Sequence, residues 1–113
     1  MANIIRAGIR GDGYARLQYA LRNCLPFTTS GSLTGSTHDA QLHVPCGFYE
    51  RGYLSGADLD AFNRDIDRIA YIVRSYYTPI AWVLDDGTVY RVSQKFSVTT
   101  TRHQSTLYML GGV

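Results

Sequence analysis

The sequence predicts an α+β domain: a small antiparallel sheet of about three to four strands, covered by a long amphipathic helix and a shorter N-terminal helix. Three observations carry this expectation. Leu59, Phe62, Ile66, Ile69 and Val73 recur at spacings of three and four, the period of one helix face. Thr78–Leu84 and Thr88–Val92 are rich in β-formers and flank Asp85-Asp86-Gly87, a turn that fits a hairpin. The chain has 113 residues, the length of one domain, so residues 1–113 are expected to share one core.

Taken in order, Tyr14, Leu17, Leu21 and Cys24 follow the breaker Gly11-Asp12-Gly13 at helical spacing, and Pro26 ends that first helix. Residues 27–39 are small, hydroxylated and glycine-rich, the composition of a flexible loop. Its Gly31 and Gly35 are too close, with no lysine after them, for a Walker-type phosphate loop. Leu42 and Val44 alternate as a short strand before Pro45 and Gly47 interrupt it. Ser55, three residues before Asp58, opens the long helix in a capping-box-like arrangement. Asp58, Asp60, Arg64, Asp65, Asp67, Arg68 and Arg74 then read as its solvated face, with Asp60 and Arg64 one turn apart. After the hairpin, Lys95–Thr99 reads as a further strand and Thr100–Gln104 as a helical turn. Leu107–Leu110 is an apolar segment that packs on the domain or a partner, and residues 111–113 are expected to fray. The helices are expected to cover one face of the sheet.

Composition excludes more than it assigns. Hydrophobic residues are 45% and charged residues 18% of the chain, which excludes an intrinsically disordered polymer. The net charge of +2 gives no reason by itself to expect a polyanion partner. Ten of the eleven basic residues are Arg, either a genomic bias or a supply of bidentate donors for carboxylate and phosphate. Cys24 and Cys46 are too few for a disulfide scaffold, and His38, His43 and His103 are too dispersed for a metal site, so neither metal nor cofactor is expected. No apolar run reaches membrane-spanning length and no signal-peptide core occurs, so a cytoplasmic protein with no membrane partner is the expectation.

Two linked motifs stand out: Ser75-Tyr76-Tyr77-Thr78-Pro79-Ile80-Ala81-Trp82, and Phe96-Ser97-Val98-Thr99-Thr100-Thr101-Arg102-His103-Gln104. The pair resembles a widespread family of small uncharacterised phage and plasmid proteins, frequent in actinobacteriophages, with the pattern S-Y-x-T-x-I-A followed by aromatic-S-x-T-T-x-x-H. The resemblance spans about residues 70–104, with a weaker likeness at Phe27–Gly35. Phe96 stands where that pattern more often has Tyr, which removes a hydroxyl. The resemblance implies phage origin, hence the host cytoplasm, and a small α+β domain; it implies no reaction.

Read physically, the first motif is a strand with Tyr76, Thr78, Ile80 and Trp82 on one face, and Pro79 places it at an edge or a strand start. Its aromatics either pack in the core or stack on a base or partner. In the second motif Thr99, Thr100 and Thr101, with Arg102, His103 and Gln104, offer donors suited to an anion. The same residues also suit a Thr-capped turn whose histidine bonds locally. Three functions compete. The first is a non-enzymatic phage accessory protein that binds a phosphate-bearing ligand, nucleic acid or nucleotide, through Thr99–Gln104 with Tyr76, Tyr77 and Thr78. The second is a module that captures a host protein through an Arg- and Tyr-rich surface. The third is a His103-dependent hydrolase or transferase. An edge strand and the Leu107–Leu110 segment offer two routes to self-association.

Overall fold

A computed structural model describes residues 4–37 and 51–110. In chain order the elements are strand β1 (Ile5–Ala7), helix α1 (Asp12–Arg22), strands β2 (Phe27–Thr29) and β3 (Leu33–Thr37), and helix α2 (Gly56–Asp65) with a 3-10 turn at Ile66–Arg68. Strands β4 (Ile69–Ser75), β5 (Thr78–Leu84) and β6 (Val89–Arg91) follow, then helix α3 (Val98–Gln104) and a final 3-10 turn at Leu107–Met109. The architecture is thus mixed α+β. Six strands form one sheet in the order β1-β2-β3-β4-β5-β6; β1 and β2 are parallel, joined through α1, and every other pair is antiparallel.

Successive side chains of a strand point to opposite faces, and the central strands use both. Tyr71 and Val73 of β4 and Ala81 and Val83 of β5 pack with Leu17, Ala20 and Leu21 of α1 and with Leu107, Met109 and Leu110. Ile72 and Trp82, one residue out of phase, pack with Ala61 and Phe62 of α2 and with Leu54 and Val92. Strands covered on both faces read as unbroken apolar runs instead of alternating ones.

That rule explains the main departure from the sequence reading. Ile69 and Val73 continue the helical spacing of Leu59, Phe62 and Ile66, yet the long helix stops at Asp65 and Ile69–Ser75 is the sheet's interior strand β4. The run Ile69-Ala-Tyr-Ile-Val satisfies both periods, and burial between β3 and β5 decides for the strand. Helices therefore cover both faces and not one.

The expected loop at 27–39 contains β2 and β3, whose hairpin buries Phe27 and Leu33. Gly35 makes this possible, because a Cβ there would run into the rings of Phe27 and Tyr71. Lys95–Thr99 is not a strand; residues 93–97 are irregular and α3 begins at Val98. Of the two places offered for Pro79, the structure has the strand start and not the edge: it is the second residue of interior strand β5, before the residues that pair with β6 and opposite Arg74, beside a bulge in the ladder. The Leu42–Val44 strand, His38, His43, Cys46 and the tail at 111–113 lie outside the described residues.

The expected solvated face of the central helix is also corrected, since Asp58, Asp65 and Arg74 are buried. Asp65 accepts two bonds from Arg64, at 2.9 and 3.0 Å, and one from the Trp82 indole at 2.9 Å. Arg64 thus pairs with Asp65 and not with Asp60. These donors, Arg64 first, hold the Asp65 carboxyl below its ordinary range despite burial. Asp58 does not close a capping box with Ser55. Its carboxylate accepts from the Tyr90 hydroxyl at 2.8 Å and from the backbone N–H groups of Ser93 and Gln94, so it secures the segment leading into α3.

Candidate functional site

The two motifs meet at one end of the sheet. β4 ends at Ser75, β5 begins at Thr78, and the two-residue turn between them holds Tyr76 at a φ of 57°, in the left-handed region that an aromatic residue rarely enters. Tyr76 and Tyr77 are thus turn residues, both exposed, and not part of the expected strand. The Tyr76 N–H donates to the carbonyl of Ser32 at 2.9 Å, tying this turn to the β2–β3 turn.

Helix α3 is capped by Ser97, whose Oγ accepts from the Thr100 N–H at 3.1 Å. The Ser97 hydroxyl donates to Thr100 Oγ1 at 3.2 Å. Thr100 Oγ1 lies 2.9 Å from Ser75 Oγ, which lies 2.7 Å from His103 Nδ1. In the order that leaves each hydroxyl proton of this chain bonded, Thr100 accepts from Ser97 and gives its own proton to Ser75, and Ser75 donates to Nδ1. In that order the imidazole proton lies on Nε2. Burial, which disfavours the imidazolium, lowers the His103 pKa below its ordinary value of 6.5. At neutral pH His103 is an uncharged N–H donor.

His103 lines a cleft. His103 is only 4% exposed, and Nε2 has no hydrogen-bond partner among the described residues. No fully buried polar side-chain atom among them lacks a partner, so Nε2 keeps some accessible surface. The cleft, of about 330 Å³, is lined by Gly8 and Ile9, by the β2–β3 turn Thr29-Ser30-Gly31-Ser32, and by Tyr76, Thr99 and His103. A second cleft of about 290 Å³ is lined by Tyr53, Tyr76 and Phe96 with Ser75, Thr78, Ser97 and Thr100.

The sequence-derived residues therefore divide. Thr99, His103 and Tyr76 line the first cleft, and Thr100 positions His103 through Ser75. Thr78 is buried, and its hydroxyl accepts from the Tyr53 N–H. Gln104 is spent on the carbonyls of Val92 and Gln94. Thr101 bonds the Ser97 carbonyl in the exposed turn, and the Tyr77 carbonyl accepts from Arg74. Exposed Arg102 is not among the residues lining the cleft.

Gly8 and Ile9 carried no signal in the sequence. Ser30 and Ser32 lie in the segment 27–39, whose density of Ser, Thr and Gly a mobile loop shares and which has no Walker-type spacing. Ser75–His103 has the composition of a nucleophile and its base, but Ser75 is 1% exposed and no described carboxylate orients Nε2. The arrangement suits holding an acceptor better than acyl transfer.

Among the described residues no group of three or more His, Cys, Asp or Glu converges on a metal-sized space, and no helix is long and apolar enough to cross a membrane. A family model described as a family of unknown function (DUF8033) matches residues 26–111, a span that contains both motifs. None of the curated proteins and none of the solved structures compared with the chain matches it.

Proposed function

We propose, for a chain that belongs to this family of unknown function, a non-enzymatic ligand-binding role in which the His103 cleft takes a nucleoside-bearing phosphate compound, a nucleotide or a nucleic-acid end. The observation that carries this reading is His103, bonded through Nδ1 to buried Ser75 and lining a cleft with Ser30, Ser32 and an exposed tyrosine; in this reading Ser75 donates to Nδ1 and the ring offers Nε2–H to the ligand. A neutral donor recognises a carbonyl or ring nitrogen of a base, Thr29–Ser32 supply hydroxyls suited to a sugar, and Tyr76 offers a ring on which a base can stack. The motif pattern, similar to that of small phage proteins, supports a phage accessory protein acting in a host cytoplasm.

Titration of ¹⁵N-labelled protein with nucleosides and nucleoside monophosphates tests this. Shifts are expected at Thr29–Ser32, Thr99 and the His103 ring, and His103→Ala should weaken binding about tenfold, the worth of one well-placed hydrogen bond. Arg102→Ala should leave affinity unchanged. Binding that survives His103→Ala intact, or shifts that avoid the cleft, would refute the reading.

The alternative of a protein-directed module rests on Tyr53, Tyr76 and Tyr77, which are 81%, 52% and 48% exposed; aromatic side chains of this kind anchor protein interfaces. It requires a stoichiometric host protein whose retention is lost in Tyr53→Ala.

A further inference from the structure

We infer that Arg6 and Arg16 form an anion subsite beside the His103 cleft and that it holds the phosphate monoester of the ligand; this rests on the nucleotide reading above and extends it. A second concavity, of about 260 Å³, is lined by Arg6, Ala7, Arg16, Thr28, Thr29 and Ser30. It shares Thr29 and Ser30 with the His103 cleft, so one ligand can span both.

Its two arginines come from different elements, Arg6 from β1 and Arg16 from α1. Arg16 Nε donates to the Arg6 carbonyl at 2.6 Å, which fixes the base of the guanidinium and leaves its two Nη groups for another acceptor. Neither arginine has a carboxylate partner among the described residues. By contrast, Arg64 and Arg68 are both paired, with Asp65 and with Asp85 and Asp86. Asp12 precedes Arg16 by one helical turn, but the two make no ion pair.

Two unpaired guanidinium groups on one concave wall repel each other until an anion lies between them. Their planar forks match the several oxygens of a phosphate better than a single point acceptor. Ser30 adds a hydroxyl with no protein partner among the described residues. The division of labour is then chemical: charge and forks at the Arg6–Arg16 end, an uncharged donor and a ring at the His103–Tyr76 end. A phosphate monoester on a nucleoside carries both halves of that pattern.

Isothermal titration with three probes separates the two readings: inorganic phosphate, the four nucleosides, and the four nucleoside monophosphates, each over a salt series. Arg6→Ala and Arg16→Ala should each weaken monophosphate binding about tenfold and flatten its salt dependence, while leaving nucleoside binding unchanged. Arg16→Lys, which keeps the charge and loses the fork, should fall between wild type and Arg16→Ala. Circular dichroism of each variant confirms the fold, since both side chains are exposed.

If nucleosides fail to bind but phosphate and monophosphates bind in an Arg6- and Arg16-dependent way, the His103 reading fails and the anion subsite stands. If monophosphates bind both arginine variants as they bind wild type, or no phosphate probe binds at all, the subsite is overturned. A short single-stranded oligonucleotide with and without a 5′-phosphate distinguishes a terminal monoester from backbone phosphodiesters. Equal affinity for the two forms refutes the monoester.

Discussion

His103 draws its properties from its neighbours. Ser75 bonds its Nδ1, and burial lowers the pKa. The folded chain therefore takes up a proton at His103 less readily than the unfolded chain, where histidine titrates near 6.5. Between the two values only the unfolded state binds the proton. The stability tied to His103 is thus complete above about pH 6.5 and is lost as pH falls through the folded value. Urea unfolding of wild type and His103→Gln between pH 7.5 and 5 should show the wild type losing stability more steeply; parallel curves would contradict this. At this scale the sequence singled out His103, Thr99 and Tyr76, which the fold brings to one cleft, but misread Asp58 and Asp65. Two carboxylates on a helix look solvated until the partners are known; Arg64 is next to Asp65, but Trp82, Tyr90 and the 93–94 backbone lie 17 or more residues from the carboxylates they bond.

At the scale of elements, the β4–β5 turn is where local preference yields to the site. Tyr76 sits at positive φ, a conformation that costs a non-glycine residue of order 1 kcal/mol or more. Its N–H is bonded to Ser32 and its ring lines both clefts. Tyr76→Gly is accordingly expected to raise stability by about 1 kcal/mol in urea unfolding while weakening nucleoside binding. A variant that lost stability would show that the ring, and not the backbone, dominates there. The helices and strands themselves were unevenly legible. α1 and the β5–β6 hairpin are visible in spacing and turn residues, because their signals are local. β4 is hidden behind a helical period that its first residues happen to continue, and β2–β3 behind small residues. There Gly35 is required by the rings of Phe27 and Tyr71, not by a loop.

For the whole molecule, the sheet is a shared wall. One apolar cluster joins α1 and the C-terminal segment to β4 and β5, and the other joins α2 to the opposite faces of the same strands. Neither cluster can open without exposing the strands that hold the other, so unfolding should be one cooperative transition. Trp82 fluorescence, reporting the α2 side, and the amide signals of Leu17 and Leu21, reporting the α1 side, should disappear at the same urea concentration. Separate midpoints would mean two independent units. The sequence alone determined that a mixed α+β domain forms, that its apolar C-terminal segment packs, and that Ser75–Trp82 and Phe96–Gln104 stand out as two linked motifs, since composition, turn residues and short-range spacing are properties of neighbours along the chain. Tertiary structure alone decided that both sheet faces are covered, that Ser75 meets His103, and that Arg6 and Arg16, not Arg102, stand beside the cleft. Those outcomes depend on strand order and register, which bring residues 28 positions apart within hydrogen-bonding distance and which no local pattern encodes.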